Sequence, residues 1–233
     1  MSLLSIITDV CAQLSLPQPT AVVGSTDSQV QQLLALANKA GRELARDTAW
    51  QVLLTQQTFT TTASPTQAAA LPADFDRFVP DTFWNRTTRR AVSGPITPQV
   101  WQALQAQPAL QTVFLMYRER DGVFLMSPTP PAGQTIAYEY VSINWAKSAA
   151  AVPQAAFLAD ADTSYLDESL IEDSLVWRFL RAKGLDYAEE MATFERNKEK
   201  AVGRDGGSGA LYLSSTPYDL NRANLPDGNF PGP

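Results

Sequence analysis

The sequence predicts an α+β fold: a helical bundle of three to four helices, an inserted antiparallel β-rich region, and an extended C-terminal arm. Three observations predict it. Apolar residues recur at helical spacing near both ends of the chain. β-Branched and aromatic residues alternate through the middle. Gly, Pro, Asn, Asp and Ser dominate after Gly203. The expected boundaries are 1–49 and 162–204 for a discontinuous bundle, 50–161 for the insertion with one short helix, and 205–233 for the arm.

The first helix runs from Ser2 to about Leu16. Leu3, Leu4, Ile6, Ile7, Val10, Cys11 and Leu14 share a face, and Pro17 and Pro19 stop it. The second runs from about Asp27 to Thr48. Ser25, Thr26 and Asp27 offer caps, and Thr26 with Gln29 fits a capping box. Its stripe is Val30, Leu33, Leu34, Ala37, Gly41 and Leu44, with Gln31, Gln32, Lys39 and Arg42 opposite.

The chain then changes character. QVLLTQQTFTTT, from Gln51, reads as a strand. The aromatic stretch from Leu71 to Asn85 reads as loop with short strands. A short helix follows, with Thr97 as cap and Pro98 in its first turn. Asp121-Gly122 between two apolar runs marks a hairpin, and Ile136, Tyr138 and Tyr140 alternate as in a third strand. Residues 147–161 read as an irregular connection. From about Tyr165 to Val202 the pattern is helical again, capped by Thr163 or Ser164. Gly184 leaves open whether this is one kinked helix or two. The bundle core is expected to include Val30, Leu33, Leu34, Ala37, Leu44, Leu170, Leu175, Phe179, Met191 and Phe194.

Composition removes several functions. The 233 residues contain no histidine and one cysteine, Cys11, so Ser-His-Asp and Cys-His catalysis, His-containing zinc sites and intrachain disulfides are excluded. The formal charge is −6 and the isoelectric point about 4.7, opposite to a protein that grips DNA phosphates. The cluster Arg86, Arg89 and Arg90, with Asp76 and Asp81 near in sequence, reads as a solvated surface. Asp9 within the first apolar stretch, and the lack of a basic leader, make a poor signal peptide. No apolar run is long enough to cross a membrane. Asp74/Asp76 and Asp160/Asp162 are carboxylate pairs, yet each falls at an element boundary, where turn and cap roles are expected. Gly206-Gly207-x-Gly209 lacks the strand and the Lys-Ser/Thr pair of a phosphate loop. The five tryptophans are spaced for core packing. No catalytic residue, metal ligand or cofactor site is expected. The arm is dotted with Leu211, Tyr212, Leu213, Tyr218, Leu220, Leu225 and Phe230, apolar anchors that suit a segment ordering on a partner.

Five strings carry a resemblance: ALANKAGRELARDTAWQ (35–51), LPADFDRFVPDTFWNRTTRR (71–90), SGPITPQVWQALQA (93–106), PTPPAGQTIAYEYVSINW (128–145) and WRFLRAKGLDYAEEMATFER (177–196). As a set they resemble the head-to-tail adaptor, or connector, proteins of tailed bacteriophages, over roughly residues 1–207. The resemblance implies a structural virion protein at the head–tail junction, assembled in the host cytoplasm. It implies a homo-oligomeric ring, usually a dodecamer, beneath the portal protein, with a tail nozzle or tube protein on its other side. DNA would pass through the lumen at genome ejection without sequence-specific binding, and the C-terminal arm would climb onto the portal. Two other expectations stay open: a tail-completion or tail-tube subunit of the same particle, and, more remotely, a carboxylate-based cell-wall hydrolase.

Overall fold

Ser2 opens the first helix: its side chain accepts a hydrogen bond from the Ser5 N–H at 3.3 Å, satisfying one of the free donors of a helix start. The computed structural model describes residues 1–107 and 114–206. Within them the fold is α+β, and the chain divides into two compact units. Met1–Leu54 with 142–206 form a helical unit, and Thr55–Val141 a β unit.

In the helical unit, α1 spans Leu3–Gln13 and buries Leu3, Ile6, Ile7, Val10 and Cys11. Helix α2, Ser28–Asp47, is capped by Asp27, whose carboxylate accepts from the Gln29 N–H at 2.8 Å. Of the three candidate caps, Asp27 is therefore the one used, in place of the Thr26/Gln29 box. Helix α4, Glu168–Lys183, is capped by Asp167 instead of Thr163 or Ser164. Those two residues form a short strand, so the helix cannot begin until they have passed. Gly184 stands at φ 73°, a left-handed conformation that glycine adopts without steric cost, and it ends α4. A separate helix α5, Ala188–Asp205, follows, so the C-terminal stretch is two helices. Helix α4 is central: it contacts α1, α2 and α5.

The expected boundary at 161 differs from this division, because 142–161 pack with the helices. Three short strands pair in the order β10–β8–β9: β8 (Ala146–Lys147), β9 (Pro153–Gln154) and β10 (Thr163–Ser164). Asn38 on α2 accepts the Phe157 N–H at 2.8 Å. The Asp160 carboxylate accepts from the N–H groups of Val22 and Val23, the latter at 2.7 Å. Trp145 is fully buried and packs on Gly41, where an added Cβ would lie 2.4 Å from its ring atoms. These long-range ties order a segment whose composition reads as irregular.

In the β unit, a single 3₁₀ turn at Gln51–Leu53 precedes β1, Leu54–Thr60, so the strand starts later than expected. Then come β2 (Phe75–Phe78), β3 (Trp84–Asn85), β4 (Arg90–Ala91) and helix α3 (Pro98–Ala106) with Thr97 as its cap. The Asp121-Gly122 turn joins β5 (Met116–Arg120) to β6 (Val123–Ser127), pairing Tyr117 with Met126 and Arg120 with Val123. Strand β7, Thr135–Ser142, does not extend that hairpin. It lies inside another sheet, ordered β1–β7–β3–β4, with β2 also paired to β7. Six of its eight residues are buried, the pattern of a strand covered on both faces and flanked on both edges. Phe59, Phe83, Tyr117, Phe124 and Tyr138 fill the core between the strands, with Phe83 stacked 3.9 Å from Tyr117 and 4.3 Å from Tyr138.

Candidate interaction surfaces

The carboxylate pairs are tied locally. Asp162 is buried, and its Oδ2 accepts from the N–H groups of Leu158 (2.7 Å) and Ala159 (2.8 Å), closing a turn. Asp160 clasps the loop at Val22 and Val23. Asp74 accepts from the Tyr140 hydroxyl at 2.9 Å, and Asp76 pairs with Arg77 at 2.5 Å. Burial, reinforced by Asp74, pushes the Tyr140 hydroxyl up to about 12. No group of three or more acidic or thiol side chains among the described residues is arranged to hold a metal ion. Cys11 is buried, and burial raises its thiol pKa, the opposite of a nucleophile's environment.

The tryptophans pack. Trp50, Trp101, Trp145 and Trp177 are buried and Trp84 is half-buried. Trp50 donates to the Leu44 carbonyl at 2.7 Å and Trp145 to the Ala155 carbonyl at 2.9 Å. The expected bundle residues Val30, Leu33, Ala37, Leu44, Leu170, Leu175, Phe179 and Phe194 are buried, and Leu34 is half-buried. Met191 is the correction: it is 38% exposed. Helix α5 buries only Phe194 and Ala201, a strip too narrow to cover Met191 in its first turn. The arm residues Leu211, Tyr212, Leu213, Tyr218, Leu220, Leu225 and Phe230 lie outside the described residues.

Two kinds of surface remain for partners. One is electrostatic. The helical unit, over 1–54 and 142–206, carries 16 Asp and Glu against 11 Lys and Arg, whereas Thr55–Val141 carries 6 of each. Near the start of α4, burial and then Asp9, Asp173, Glu168 and Asp167 raise the Glu172 carboxyl, and its Oε1 is buried without a hydrogen-bond partner among the described residues. In the β unit, Arg86, Arg89 and Arg90 stand exposed around a turn that Asn85 fixes by accepting from Thr87 N–H (3.1 Å) and Thr88 N–H (3.0 Å). Arg90 lies over the Phe114 ring at 5.7 Å. Beside it is a pocket of about 560 Å³ lined by Val92, Leu115, Pro128 and Pro131 among others. The other kind of surface is apolar: Leu185 and Met191 around the α4–α5 junction, and Val152 and Leu158 in the connection, all stand exposed. Sequence periodicity could not find the last pair, because they sit in no regular element. Their size in an Ala-rich stretch was the only signal.

Among the described residues the candidate carboxylates and the thiol are tied into the fold, and the features left facing outward are surfaces. The SU10 adaptor protein family matches residues 1–216 of the chain. The chain belongs to that family. All five strings that carry the resemblance to phage head-to-tail adaptors fall within the match. As a phage adaptor the chain is a component of the virion. No helix among the described residues of this adaptor is long and apolar enough to cross a membrane. No curated protein matches the chain.

Proposed function

We propose that the adaptor forms a homo-oligomeric ring that joins the portal to the tail and lines the DNA exit channel. The observation that carries this reading is the adaptor-family match over residues 1–216. The surfaces support it. Helix α5 leaves most of its circumference uncovered, with Leu185 and Met191 exposed at its start, and a neighbouring copy can use that face. A contact between two different faces of one subunit, repeated, closes into a ring when its rotation allows, and twelve copies would match a twelve-fold portal. The acidic excess of the helical unit suits a channel through which DNA slides, because like charge keeps phosphates from sticking. The role needs no reaction and no cofactor. The tail side of the ring would meet a nozzle or tube protein, assembly would take place in the host cytoplasm, and the arm would reach the portal through Leu211, Tyr212, Leu213, Tyr218, Leu220, Leu225 and Phe230.

Removal of residues 206–233 tests the arm. The expected outcome is an unchanged fold by circular dichroism and weaker binding to the portal ring. Equal affinity of the full and shortened chains would exclude the docking role.

A further inference from the structure

A strand edge presents a row of unpaired N–H and C=O groups, and folded proteins close or blunt such rows. Among the described residues most edges here are closed or blunted. The outer edge of β5 is occupied by Ser93, which donates to the Leu115 carbonyl and accepts from the Tyr117 N–H. The outer edge of β6 is occupied by Pro65 and Gln67, at 2.7 and 3.0 Å from Met126 N and Phe124 O. Ser2 bridges β10. Strands β4 and β9 have two residues each, and β9 contains Pro153. Strand β2 carries the charges Asp76 and Arg77.

Strand β1 has none of these protections. Among the described residues it pairs with β7 alone. Its seven residues, LTQQTFT, include no charge and no proline, and Thr55, Gln56, Thr58 and Thr60 are exposed. The free groups follow from the ladder. Thr61 donates to the Gln134 carbonyl at 2.8 Å and accepts from the Gly133 N–H at 2.9 Å, so its backbone faces β7. Antiparallel alternation then turns Phe59, Gln57 and Thr55 toward β7, and the N–H and C=O of Gln56, Thr58 and Thr60 away from it. None of those three residues makes a backbone hydrogen bond outside the ladder among the described residues.

We propose that this edge is completed in the ring by a strand from a second copy of the chain, its segment Ala210–Thr216. The inference rests on the ring reading above. The segment, ALYLSST, matches β1 in length, carries no charge, and ends at Pro217, which has no N–H to continue a ladder. It lies a few residues beyond Gly206 at the end of α5, within roughly 35 Å of chain reach for ten residues. Main-chain hydrogen bonds would supply the affinity, as in other strand additions. Donor segment and acceptor edge are different surfaces, so every copy offers both and the contact propagates head to tail. This narrows the portal reading given above: Leu211, Tyr212 and Leu213 clip neighbours together, and Tyr218, Leu220, Leu225 and Phe230 are left for the portal.

The test uses full-length chains with the buried Cys11 replaced by serine. One chain carries Thr58→Cys, the other Leu213→Cys, and they are mixed and oxidised alone and with the portal ring from the same genome. The expected product is the mixed 58–213 disulfide, in excess over 58–58 and 213–213. Its yield should fall about tenfold or more when the tail chain also carries Tyr212→Pro, which removes a ladder donor without touching the described fold. A 58–58 product alone, equal yields from Leu213→Cys and Phe230→Cys, or no mixed product would each overturn the proposal. So would an exclusively intrachain bond in a chain carrying both cysteines. Rings that form on the portal without the mixed disulfide would sink the clip while leaving the adaptor ring standing.

Discussion

At the residue scale, Gly41 shows how one position joins two segments far apart in sequence. Trp145 occupies the space where a side chain on α2 would begin, with a Cβ at Gly41 only 2.4–2.5 Å from three ring atoms. The Gly41→Ala chain is therefore expected to lose about 1–3 kcal/mol in urea unfolding, despite alanine's better helix propensity. Asp162 does comparable work for the connection. Asp162→Ala leaves the Leu158 and Ala159 N–H groups without their acceptor, and about 1–3 kcal/mol should be lost in the same measurement. Glu172 gives a pH prediction. Its folded-state pKa is raised, by burial first and then by Asp9, Asp173, Glu168 and Asp167. The folded state thus holds the proton more tightly than the unfolded chain, and stability present in acid is lost as pH rises through the raised value. Glu172→Gln should be more stable than the parent at neutral pH, with the gap closing as pH falls below the ordinary glutamate range. A gap independent of pH would refute the assignment. These roles were only partly legible. Gly41 was readable as a small residue on a stripe, but its partner Trp145 was not, because periodicity names a face and never what meets it. Met191 fails for the same reason: it follows the helical pattern, and the neighbour covers only Phe194 and Ala201.

At the element scale, local chemistry was legible wherever a signal is complete within a few residues. Thr97 before Pro98, Asp121-Gly122 between apolar runs, and the stripe of α2 each specify their element without outside help. Thr97→Ala should cost about 1 kcal/mol, measured by thermal unfolding, because the Val100 N–H loses its cap. Elements that depend on distant partners were not legible. Ser164 looked like a helix cap, yet Thr163 pairs with Lys147 and Ser164 with Ala146, which delays α4 to Glu168. Strand β7 showed an alternating pattern, but its place between β1 and β3 follows from burial on both faces. Gly184 separates α4 from α5 through its left-handed backbone. Gly184→Ala should destabilise by about 1 kcal/mol and leave the helix content unchanged, read by circular dichroism and unfolding together.

At the scale of the whole molecule, the function is carried by surfaces, and this limits what residues alone reveal. The absence of histidine and the single cysteine exclude mechanisms, and the acidic balance argues against phosphate gripping. Neither says which faces meet a neighbour. The described structure adds the uncovered circumference of α5, the concentration of acidic charge in the helical unit, and the unprotected edge of β1. The arm that sequence reading assigned to the portal lies outside the described residues, so its role is decided by binding. The central claim is that this adaptor forms a ring on the portal. Electron microscopy of the full-length protein mixed with the portal ring from the same genome tests it most directly. Added density is expected as a closed ring on one end of the portal, sharing its symmetry. A portal left unchanged by folded adaptor would contradict it.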